Sequence, residues 1–306
     1  MKLKKNVCEI LSLKLLIIGG SGLVGSTLIQ YVPANYDIHI TINQNKINSD
    51  RVSMSRIDLL QDRSAITNLI EELSPDVVIN TAALSNVDLC ETNPKLADLF
   101  HVDITNDVCL ACSKTDSKLV HFSTDAVFDG KLARKYTEDD IPNPVNYYGK
   151  TRLIAEKIVL DSSENNVILR TAVIYGWHMR SRFTNWIIQS LQENKIVDPF
   201  TDQYNTPTLV DDLAKAILKI IEMDVSGLYH AVGKTCLSRY EFALLLANKF
   251  GLNRNLIQPV TCQQKKQDAP RPPRSCLDGS KLEKTIGYKF CDVNTGISYI
   301  FNKSSL

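Results

Sequence analysis

The sequence predicts an α/β fold in which a doubly wound parallel sheet is joined to a smaller, mixed α/β unit on its C-terminal side. Through residue 175, short apolar runs typical of fully buried parallel strands alternate with segments of helical spacing. Glycines directly follow the first apolar run and lead into a helical segment. After residue 175 the alternation becomes irregular, so we expect one domain over residues 13–175 and a second mainly over residues 176–306. Residues 207–223 are expected to return to the first domain.

The predicted strands and helices follow each other in the order that a parallel sheet with crossover helices requires. The predicted strands cover residues 15–18, 37–42, 54–59, 76–83, 118–125, 167–175 and 228–231. The predicted helices cover residues 26–31, 63–73, 97–113, 147–160, 183–191, 209–221 and 239–250. Local signals support several of these ends: Ser74-Pro75 stops one helix, while Ser238 and Gly251 flank the last one.

The composition is that of an enzyme-sized globular chain. Its 306 residues carry a formal net charge of +1, which gives no reason to expect a nucleic-acid or membrane partner. No apolar run approaches the roughly 20 residues of a membrane-spanning helix, and the charged head before Lys14 lacks the features of a signal peptide. Eight cysteines lack the density of a disulfide scaffold, and Cys109-x-x-Cys112 is interpreted as two core residues rather than a metal site. A cytoplasmic protein without a metal is therefore expected.

The glycine-rich stretch after the first strand predicts a dinucleotide-binding turn. Two glycine patterns overlap there, Gly19-x-x-Gly22-x-x-Gly25 and Gly20-x-Gly22-x-x-Gly25. A strand, a glycine turn and a helix in this order point free backbone N–H groups at a pyrophosphate. The residues expected to contact it are Gly19, Ser21, Gly22, Leu23, Val24 and Gly25.

The end of the second predicted strand favours NADP(H) over NAD(H), with NAD(H) as the alternative. NAD-binding sites usually place a carboxylate there, on the adenosine ribose, about 20 residues beyond the glycines. Between His39 and Lys46 this chain has no Asp or Glu, and Asn43 follows the strand. Lys46 and Arg51 lie just beyond and could meet a 2′-phosphate.

Polar residues at the carboxyl ends of later strands mark the expected site, because ligands of open parallel sheets bind at that edge. The strand over 118–125 ends in Ser123-Thr124-Asp125, and the one before it ends in small residues, Thr81-Ala82-Ala83. His121 is interpreted as a packed strand residue. In the helix over 147–160, Tyr148 and Arg152 are four apart and so share one helix face.

At this point the chain resembles the extended short-chain dehydrogenases/reductases, whose motifs it carries in order. These are the glycine turn, Asp58-Leu59, Thr81-Ala82-Ala83, Ser123-Thr124-Asp125 and Tyr148-Gly149-Lys150-Thr151. Within them it is most similar to the dTDP-4-dehydrorhamnose reductase family, through residues 123–130, residues 202–208 and Arg271-Pro272. The resemblance runs from about Lys14 to Gly287. It implies a Rossmann domain of about seven parallel strands with a mixed C-terminal substrate domain, and NADPH-dependent reduction of a nucleotide-linked 4-keto-6-deoxy sugar.

The resemblance also implies roles for individual residues. Thr124, Tyr148 and Arg152 are the expected catalytic groups: Tyr148 gives a proton to the ketone, Thr124 holds the carbonyl oxygen, and Arg152 supplies a cation beside the phenol. Thr124, Asp125, Val173 and Arg271 are the expected substrate contacts, with Asp125 holding either the sugar or the loop. The residues expected to bind the cofactor beyond the glycine turn are Asn43, Asp58, Leu59, Ala82, Ala83, Leu84, Phe122, Tyr148 and Arg152. A homodimer is implied, through helices near residues 97–113 and 151–160 with Leu110, Ile154 and Ile158 as candidate contacts; the alternative is that these side chains face the sheet.

Three positions depart from the family pattern. Arg152 replaces a lysine, and a planar guanidinium is not a geometric substitute for an ammonium. His101 stands in place of an asparagine, and Val173 in place of a substrate-binding tryptophan. Tyr147 with Lys150 is an alternative pairing in the same helix.

Two further functions therefore stay open beside the reductase. One is a non-catalytic NADP-binding regulatory subunit, because the chain also resembles the regulatory β subunit of methionine adenosyltransferase. The other is a related nucleotide-sugar epimerase or dehydratase, for which Asp125 could supply the carboxylate.

Overall fold

The computed structural model describes residues 12–45 and 47–305. Its strands are β1 (Lys14–Ile18), β2 (Asp37–Ile42), β3 (Ser53–Arg56), β4 (Val77–Asn80), β5 (Lys118–Thr124), β6 (Val167–Thr171), β7 (Ile174–Tyr175), β8 (Tyr204–Asn205), β9 (Thr208–Leu209), β10 (Gly227–His230) and β11 (Leu237–Ser238). Its α-helices are α1 (Leu23–Tyr31), α2 (Ser64–Leu73), α3 (Val87–Thr92), α4 (Pro94–Asp98), α5 (Ile104–Thr115), α6 (Tyr147–Ser162), α7 (Arg182–Gln192), α8 (Val210–Glu222), α9 (Arg239–Lys249), α10 (Ser280–Ile286) and α11 (Val293–Ser304).

A seven-stranded parallel sheet organises the molecule, in the order β10-β6-β5-β4-β1-β2-β3. β1 pairs with β2 on one side and with β4 on the other, so the strand order reverses at β1. The crevice at such a reversal, outside the carboxyl ends of the strands, is where these sheets bind ligands. The predicted doubly wound Rossmann sheet is confirmed.

Both faces of the sheet are covered, which explains the unbroken apolar strand sequences. Leu15 and Ile17 of β1 contribute to a core with α1 and α8, whereas Leu16 and Ile18 contribute to a core with α2, α5 and α6. All four side chains are fully buried. Because successive side chains of a strand point to opposite faces of the sheet, the residues of β1 contribute to both cores.

A third core fills the C-terminal part of the chain. It combines residues of α7, α9 and α11 around Tyr175 and Phe242. After residue 175 the chain leaves the sheet for α7 and then returns to it, since α8 packs in the first core and β10 pairs with β6. The expected return of residues 207–223 thus continues to His230, and the boundary at residue 175 stays a prediction.

Two predicted elements differ from the observed ones. The strand over 167–175 is interrupted, because Val173 has φ +42° and β7 pairs with β9 outside the main sheet. The helix over 97–113 contains a π-helical turn, Leu99–Asp103, between α4 and α5. The sequence did not suggest α3, α10, α11 or the short strands β8, β9 and β11.

A disulfide joins Cys236 to Cys276, and no spacing or density of cysteines in the sequence predicted it. Cys109 and Cys112 are free and buried in the core, as expected. Across residues 12–45 and 47–305, no helix combines the length and apolarity needed to cross a membrane. The same residues contain no group of three or more His, Cys, Asp or Glu side chains suited to hold a metal ion.

Candidate functional site

A cavity of about 660 Å³ lies at the carboxyl ends of the central strands. Most residues expected at the site line it. These are Gly19, Ser21, Gly22, Leu23, Val24, Asn43, Ala82, Ala83, Phe122, Thr124, Asp125, Tyr148, Arg152, Val173 and Arg271. Four expected cofactor contacts, Gly25, Asp58, Leu59 and Leu84, are not among the lining residues.

The glycine turn has the geometry of an anion-binding helix start. Gly19 has φ +81°, a conformation that side chains disfavour, and its carbonyl accepts the Gly22 amide at 2.9 Å. Gly22 is the N-cap of α1, with no side-chain cap, so the first amides of α1 are free for a ligand. Gly25 is required by packing rather than by the cavity, because a Cβ there would lie 2.7 Å from the Gly20 Cα.

The adenosine end of the site shows an unexpected contact at one residue. Arg51 donates to the carbonyl of Ile29 at 3.2 Å and to that of Val32, so its guanidinium caps the C-terminus of α1. Because these carbonyls already hold two of its N–H groups, the expectation that Arg51 meets a 2′-phosphate gains no support from this arrangement and stays a prediction. Lys46 lies outside the described residues. The Asp58 carboxylate accepts the Leu60 amide at 3.0 Å.

Tyr148 and Arg152 are brought together on the cavity side of α6. The helix begins at the cap Asn146, whose side chain accepts the Gly149 amide at 2.8 Å. Gly149 lets α6 lie against the backbone of Ala126, since a Cβ there would sit 2.2 Å from the Ala126 carbonyl oxygen. Burial raises the pKa of Tyr148, and the Arg152 charge and the Thr124 hydroxyl act in the opposite direction. The phenol therefore keeps its proton at neutral pH.

Arg152 is a buried cation without a carboxylate partner in the described part of the chain. It is 3% exposed, and its Nη2 donates to the Phe122 carbonyl of β5. Its Nε has no hydrogen-bond partner. An unpaired buried charge is costly, so an incoming polar ligand is the natural partner for this guanidinium.

The alternative pair, Tyr147 and Lys150, points elsewhere. The Tyr147 hydroxyl donates to Asp98 at 2.8 Å, and Lys150 is exposed. Neither residue lines the cavity. The structure thus favours the pairing of Tyr148 with Arg152.

Two buried histidines lie beside this pair. The His101 ring meets that of Tyr148 edge to face at 5.4 Å between centroids, and its Nδ1 lies 2.8 Å from the Thr151 hydroxyl. Burial, with the Arg152 charge, lowers the pKa of His101 to about 3 and that of His121 well below its usual range. Both rings are neutral, and His121 is packed in β5 as expected.

Thr124 is the last residue of β5 and Asp125 follows it, and the two side chains make different contacts. Thr124 accepts the Ala126 amide at 3.1 Å and donates to Asp125 at 3.2 Å. The Asp125 carboxylate accepts from Asn205 at 2.6 Å and from the Ser275 hydroxyl. Asp125 therefore ties the end of β5 to two C-terminal segments, which is the loop-holding alternative. Burial raises its pKa.

Basic and aromatic side chains that the sequence did not single out complete the site. Arg180, Arg182 and Arg239 line the cavity with Arg152 and Arg271. A second cavity of about 480 Å³ adjoins it and shares some of these residues. Three apolar residues line the second cavity and not the first: Trp186, Pro199 and Phe200.

Only part of this positive charge is neutralised within the described residues. Arg271 pairs with Asp88 at 2.8 Å. Arg239 has no ion pair within residues 12–45 and 47–305; its guanidinium lies over the Phe183 ring, 5.3 Å from the centroid, and burial lowers its pKa to about 10. Arg180 and Arg182 lie near the start of α7 and Arg239 begins α9, so no single local motif predicted these three residues together. An anionic group with an attached flat ring fits such a site.

Comparison with known proteins adds a family and named relatives. The chain matches the family model for the RmlD substrate binding domain over residues 13–305. It is 29% identical over 275 residues to a probable low-salt glycan biosynthesis reductase of Haloferax volcanii, covering 89% of this chain and 91% of that one. It is 28% identical to a dTDP-4-dehydrorhamnose reductase of Aggregatibacter actinomycetemcomitans, covering 91% and 95%. It is also 34% identical to methionine adenosyltransferase 2 subunit beta of Xenopus laevis, covering 74% and 69%.

Solved structures of similar proteins have the same fold. A dTDP-4-dehydrorhamnose reductase from Bacillus anthracis, solved in complex with NADP, has a TM-score of 0.86 at 25% identity, covering 96% of this chain and all of that one. A hypothetical dTDP-4-dehydrorhamnose reductase from Sulfolobus tokodaii has a TM-score of 0.82 at 32% identity, covering 92% and 98%.

Proposed function

Because the chain belongs to the RmlD substrate binding domain family, we propose that it is an NADPH-dependent reductase of a nucleotide-linked 4-keto-6-deoxy sugar. One observation carries the proposal. Tyr148, Thr124 and the Arg152 guanidinium line the same cavity as the amides at the start of α1. A carbonyl placed there meets a proton donor, a hydroxyl and a cation together.

The chain's own residues manage the proton. Bound NADPH supplies a hydride to C4 of the sugar. Tyr148 gives its phenolic proton to the carbonyl oxygen, so the ketone becomes an alcohol, and solvent later returns a proton to the phenolate. Arg152 stabilises that phenolate, since a nearby cation favours the charged form. Thr124 orients the carbonyl oxygen.

NADP(H) is the preferred cofactor in this proposal, with NAD(H) as the alternative. The free amides of α1 and the glycine turn hold the pyrophosphate. From His39 to Asn45 the chain offers no carboxylate that would repel a 2′-phosphate. A similar reductase was solved with NADP bound.

The substrate side suits a nucleoside diphosphate. Arg182, Arg239 and Arg271 line both cavities and are placed to bind two phosphates. Trp186 and Phe200 offer flat faces for the base in the second cavity. Val173 lines the larger cavity, where the sugar lies in this arrangement.

The test is oxidation of NADPH in the presence of an enzymatically prepared dTDP-4-keto-6-deoxy sugar. Wild type, Tyr148→Phe and Arg152→Lys are compared, with Tyr147→Phe as the matched control because that phenol lies outside the cavity. We expect Tyr148→Phe to lower turnover at least about 100-fold, Tyr147→Phe to have little effect, and Arg152→Lys to keep or raise activity. Turnover of Tyr148→Phe equal to wild type would contradict the catalytic role.

A non-catalytic NADP-binding regulatory subunit is the second candidate. Its support is the Arg152 substitution together with relatives named methionine adenosyltransferase 2 subunit beta. Wild type that binds NADP(H) but turns over no ketosugar, while Arg152→Lys does, would favour this candidate. We do not propose a dehydratase, because the Asp125 carboxylate is already bonded to Asn205, Ser275 and Thr124.

A further inference from the structure

Three hydrogen bonds within the turn over residues 176–181, between β7 and α7, and a fourth from α7 hold this turn in place. The His178 carbonyl accepts the Ser181 amide at 2.9 Å and the Asn185 side chain at 3.0 Å. The Ser181 hydroxyl accepts the Gly176 amide at 3.1 Å, and the Gly176 carbonyl accepts the His178 amide at 3.1 Å. Such a turn holds its side chains in fixed positions.

His178 joins this turn to the glycine-turn helix. Its Nδ1 accepts the Arg180 amide at 3.1 Å, which leaves the ring proton on Nε2. Nε2 lies 3.1 Å from the Ser26 hydroxyl and donates to it. The Ser26 hydroxyl in turn donates to the Gly22 carbonyl at 2.5 Å. Each hydrogen bond in this series therefore has a defined donor, and the series runs from the Arg180 amide to the carbonyl of Gly22, the N-cap of α1.

Arg180 follows His178 in this turn, and its backbone amide is held by the His178 ring. It is half-buried, lines the larger cavity together with Gly22 and Leu23, and has no side-chain partner among the residues that the structure describes. Burial and, to a smaller extent, the charge of Arg180 lower the pKa of His178.

The division of the arginines between the two cavities separates Arg180 from the rest. Arg182, Arg239 and Arg271 line both cavities, whereas Arg180 lines only the one that contains the glycine turn. Arg152, the other arginine confined to that cavity, is held on the Phe122 carbonyl. Among the described residues, Arg180 is thus a cation without a side-chain partner whose backbone is joined, through His178 and Ser26, to the start of α1.

We propose that Arg180 binds the pyrophosphate of the dinucleotide cofactor and that His178 is the residue that positions it. This inference rests on the dinucleotide cofactor of the proposed function. The segment after residue 175 then contributes a ligand to the cofactor site, and the bound pyrophosphate meets the α1 amides on one side and a guanidinium on the other.

Calorimetric titration with NADP⁺ and NAD⁺ tests the contact. We expect Arg180→Gln to weaken both dinucleotides by the same factor, about 10-fold or more, because both carry the pyrophosphate. Arg180→Lys keeps the charge and should lose less. Lys289→Gln removes an exposed charge with no described contact and should leave both affinities unchanged.

A double-mutant cycle tests the positioning role. His178→Ala should weaken both dinucleotides about threefold to 10-fold in the wild-type background and have no further effect beside Arg180→Gln. Loss of packing alone would act equally in both backgrounds. Melting temperatures of all variants establish that each one is folded, and His178→Gln replaces any His178→Ala protein that is not.

Several outcomes would overturn the inference. Weaker binding of NADP⁺ alone would place Arg180 on the 2′-phosphate. Unchanged dinucleotide affinity with a raised KM for the ketosugar would assign Arg180 to the substrate. Equal losses from His178→Ala in both backgrounds would remove the positioning role. Wild type that binds neither dinucleotide would overturn the proposed cofactor as well, so the two failures are distinguishable.

Discussion

At the scale of single residues, the site combines a buried unpaired cation with buried neutral rings. Arg152 has an unpartnered Nε, and His101 and His121 lie close enough for its charge to lower their pKa values. Each of these groups costs folding free energy, because burial penalises charge and leaves polar atoms unsatisfied. Such a cost at a cavity wall is typical of a site built for a ligand.

Replacing Arg152 with Met should therefore separate stability from activity. The variant removes an uncompensated buried charge at similar volume, so we expect the free energy of unfolding to rise by about 1–3 kcal/mol. Turnover of the ketosugar should fall at least about 100-fold, because the phenolate loses its cation. Urea unfolding measures the first effect and NADPH oxidation the second, with Arg152→Lys as the control that keeps the charge. A less stable, fully active variant would contradict this account.

Buried histidines predict a loss of stability in acid. The pKa values of His101 and His230 are lowered to about 3, mainly by burial, against about 6.5 in the unfolded chain. Between these values the unfolded state binds more protons, so stability is complete above pH 6.5 and declines as the pH falls toward 3. Each histidine contributes up to about 1.4 kcal/mol per pH unit.

Urea midpoints measured at pH 7.5 and 5.5 check this expectation. His230→Gln removes one of the titrating groups, and its difference between the two pH values should be smaller than that of wild type. Replacing the exposed Lys289 with Gln, which changes no histidine, should leave the difference unchanged. An equal pH dependence in wild type and His230→Gln would show that this histidine is not held neutral.

At the scale of elements, the start of α1 is the proposed pyrophosphate site, and few substitutions of Gly22 should be compatible with binding. Gly22 has φ −73° and ψ 175°, which any residue adopts, so the requirement for glycine there is about space and charge rather than conformation. A Cβ at this position would meet only the Gly19 carbonyl oxygen, at 3.1 Å. The cavity side of the residue is where a pyrophosphate approaches.

Gly22→Asp should consequently fold and fail to bind. Aspartate is a favourable N-cap, so stability should be kept or rise by a few tenths of a kcal/mol. Its carboxylate repels the pyrophosphate, and affinity for both NADP(H) and NAD(H) should fall beyond detection by calorimetry. Gly22→Ser caps the helix without a charge and should retain more affinity. Equal losses in the two variants would show that steric block, not charge, controls the position.

The disulfide acts on a whole segment. Cys236 and Cys276 are 40 residues apart and enclose α9 and Arg271, and Cys276 lies next to Ser275, which lines the cavity. Closing a loop of this length lowers the entropy of the unfolded chain. Ser275, adjacent to Cys276, bonds Asp125 and Asn205. The disulfide therefore stabilises residues 236–276, several of which line the cavity.

The double variant Cys236→Ser, Cys276→Ser should lose about 2–4 kcal/mol of unfolding free energy. A reducing agent should lower the stability of wild type by a similar amount and leave the double variant unchanged. Cys262→Ser, at a free half-buried thiol, is the control and should change stability by less than about 0.5 kcal/mol. Wild type insensitive to reduction would argue that the thiols are not bonded in solution.

At the scale of the whole molecule, polar contacts join the first and last helices. Asp211 at the start of α8 accepts from Tyr31 of α1 at 2.7 Å, from Tyr299 of α11 at 3.1 Å and from Lys303 at 2.7 Å. The C-terminal helix is thereby fixed to the sheet's helical layer. On the opposite layer α5 and α6 leave apolar side chains uncovered, with Leu110 56% and Ile154 44% exposed. Ile158, the third candidate contact, packs against the core instead.

A homodimer through α5 and α6 stays a prediction. Leu110→Glu places a charge in the centre of that surface, and we expect it to convert dimers to monomers at micromolar concentration, as measured by light scattering. Ile141→Glu is the matched control, because Ile141 is 88% exposed in the loop before α6 and is not one of the candidate contacts. A wild-type protein that is monomeric at the same concentration would count against the dimer.

The sequence by itself determined the features that depend on neighbouring residues. Apolar runs at β1 and β4, the glycine turn and the shared helix face of Tyr148 and Arg152 follow from the period of strands and helices and from the steric freedom of glycine. Because parallel strands end at one edge, the order of these elements also placed Thr124 beside the glycine turn.

Only the tertiary structure decided which distant groups meet. It turned Arg51 onto the end of α1, committed Asp125 to Asn205 and Ser275, and joined Cys236 to Cys276. It also broke the sixth strand at Val173 and gathered arginines from four segments around one cavity. Periodicity reports which side of its own element a residue occupies, but a contact partner tens of residues away leaves no mark on local spacing. Those pairings arise when the packed cores bring the segments together.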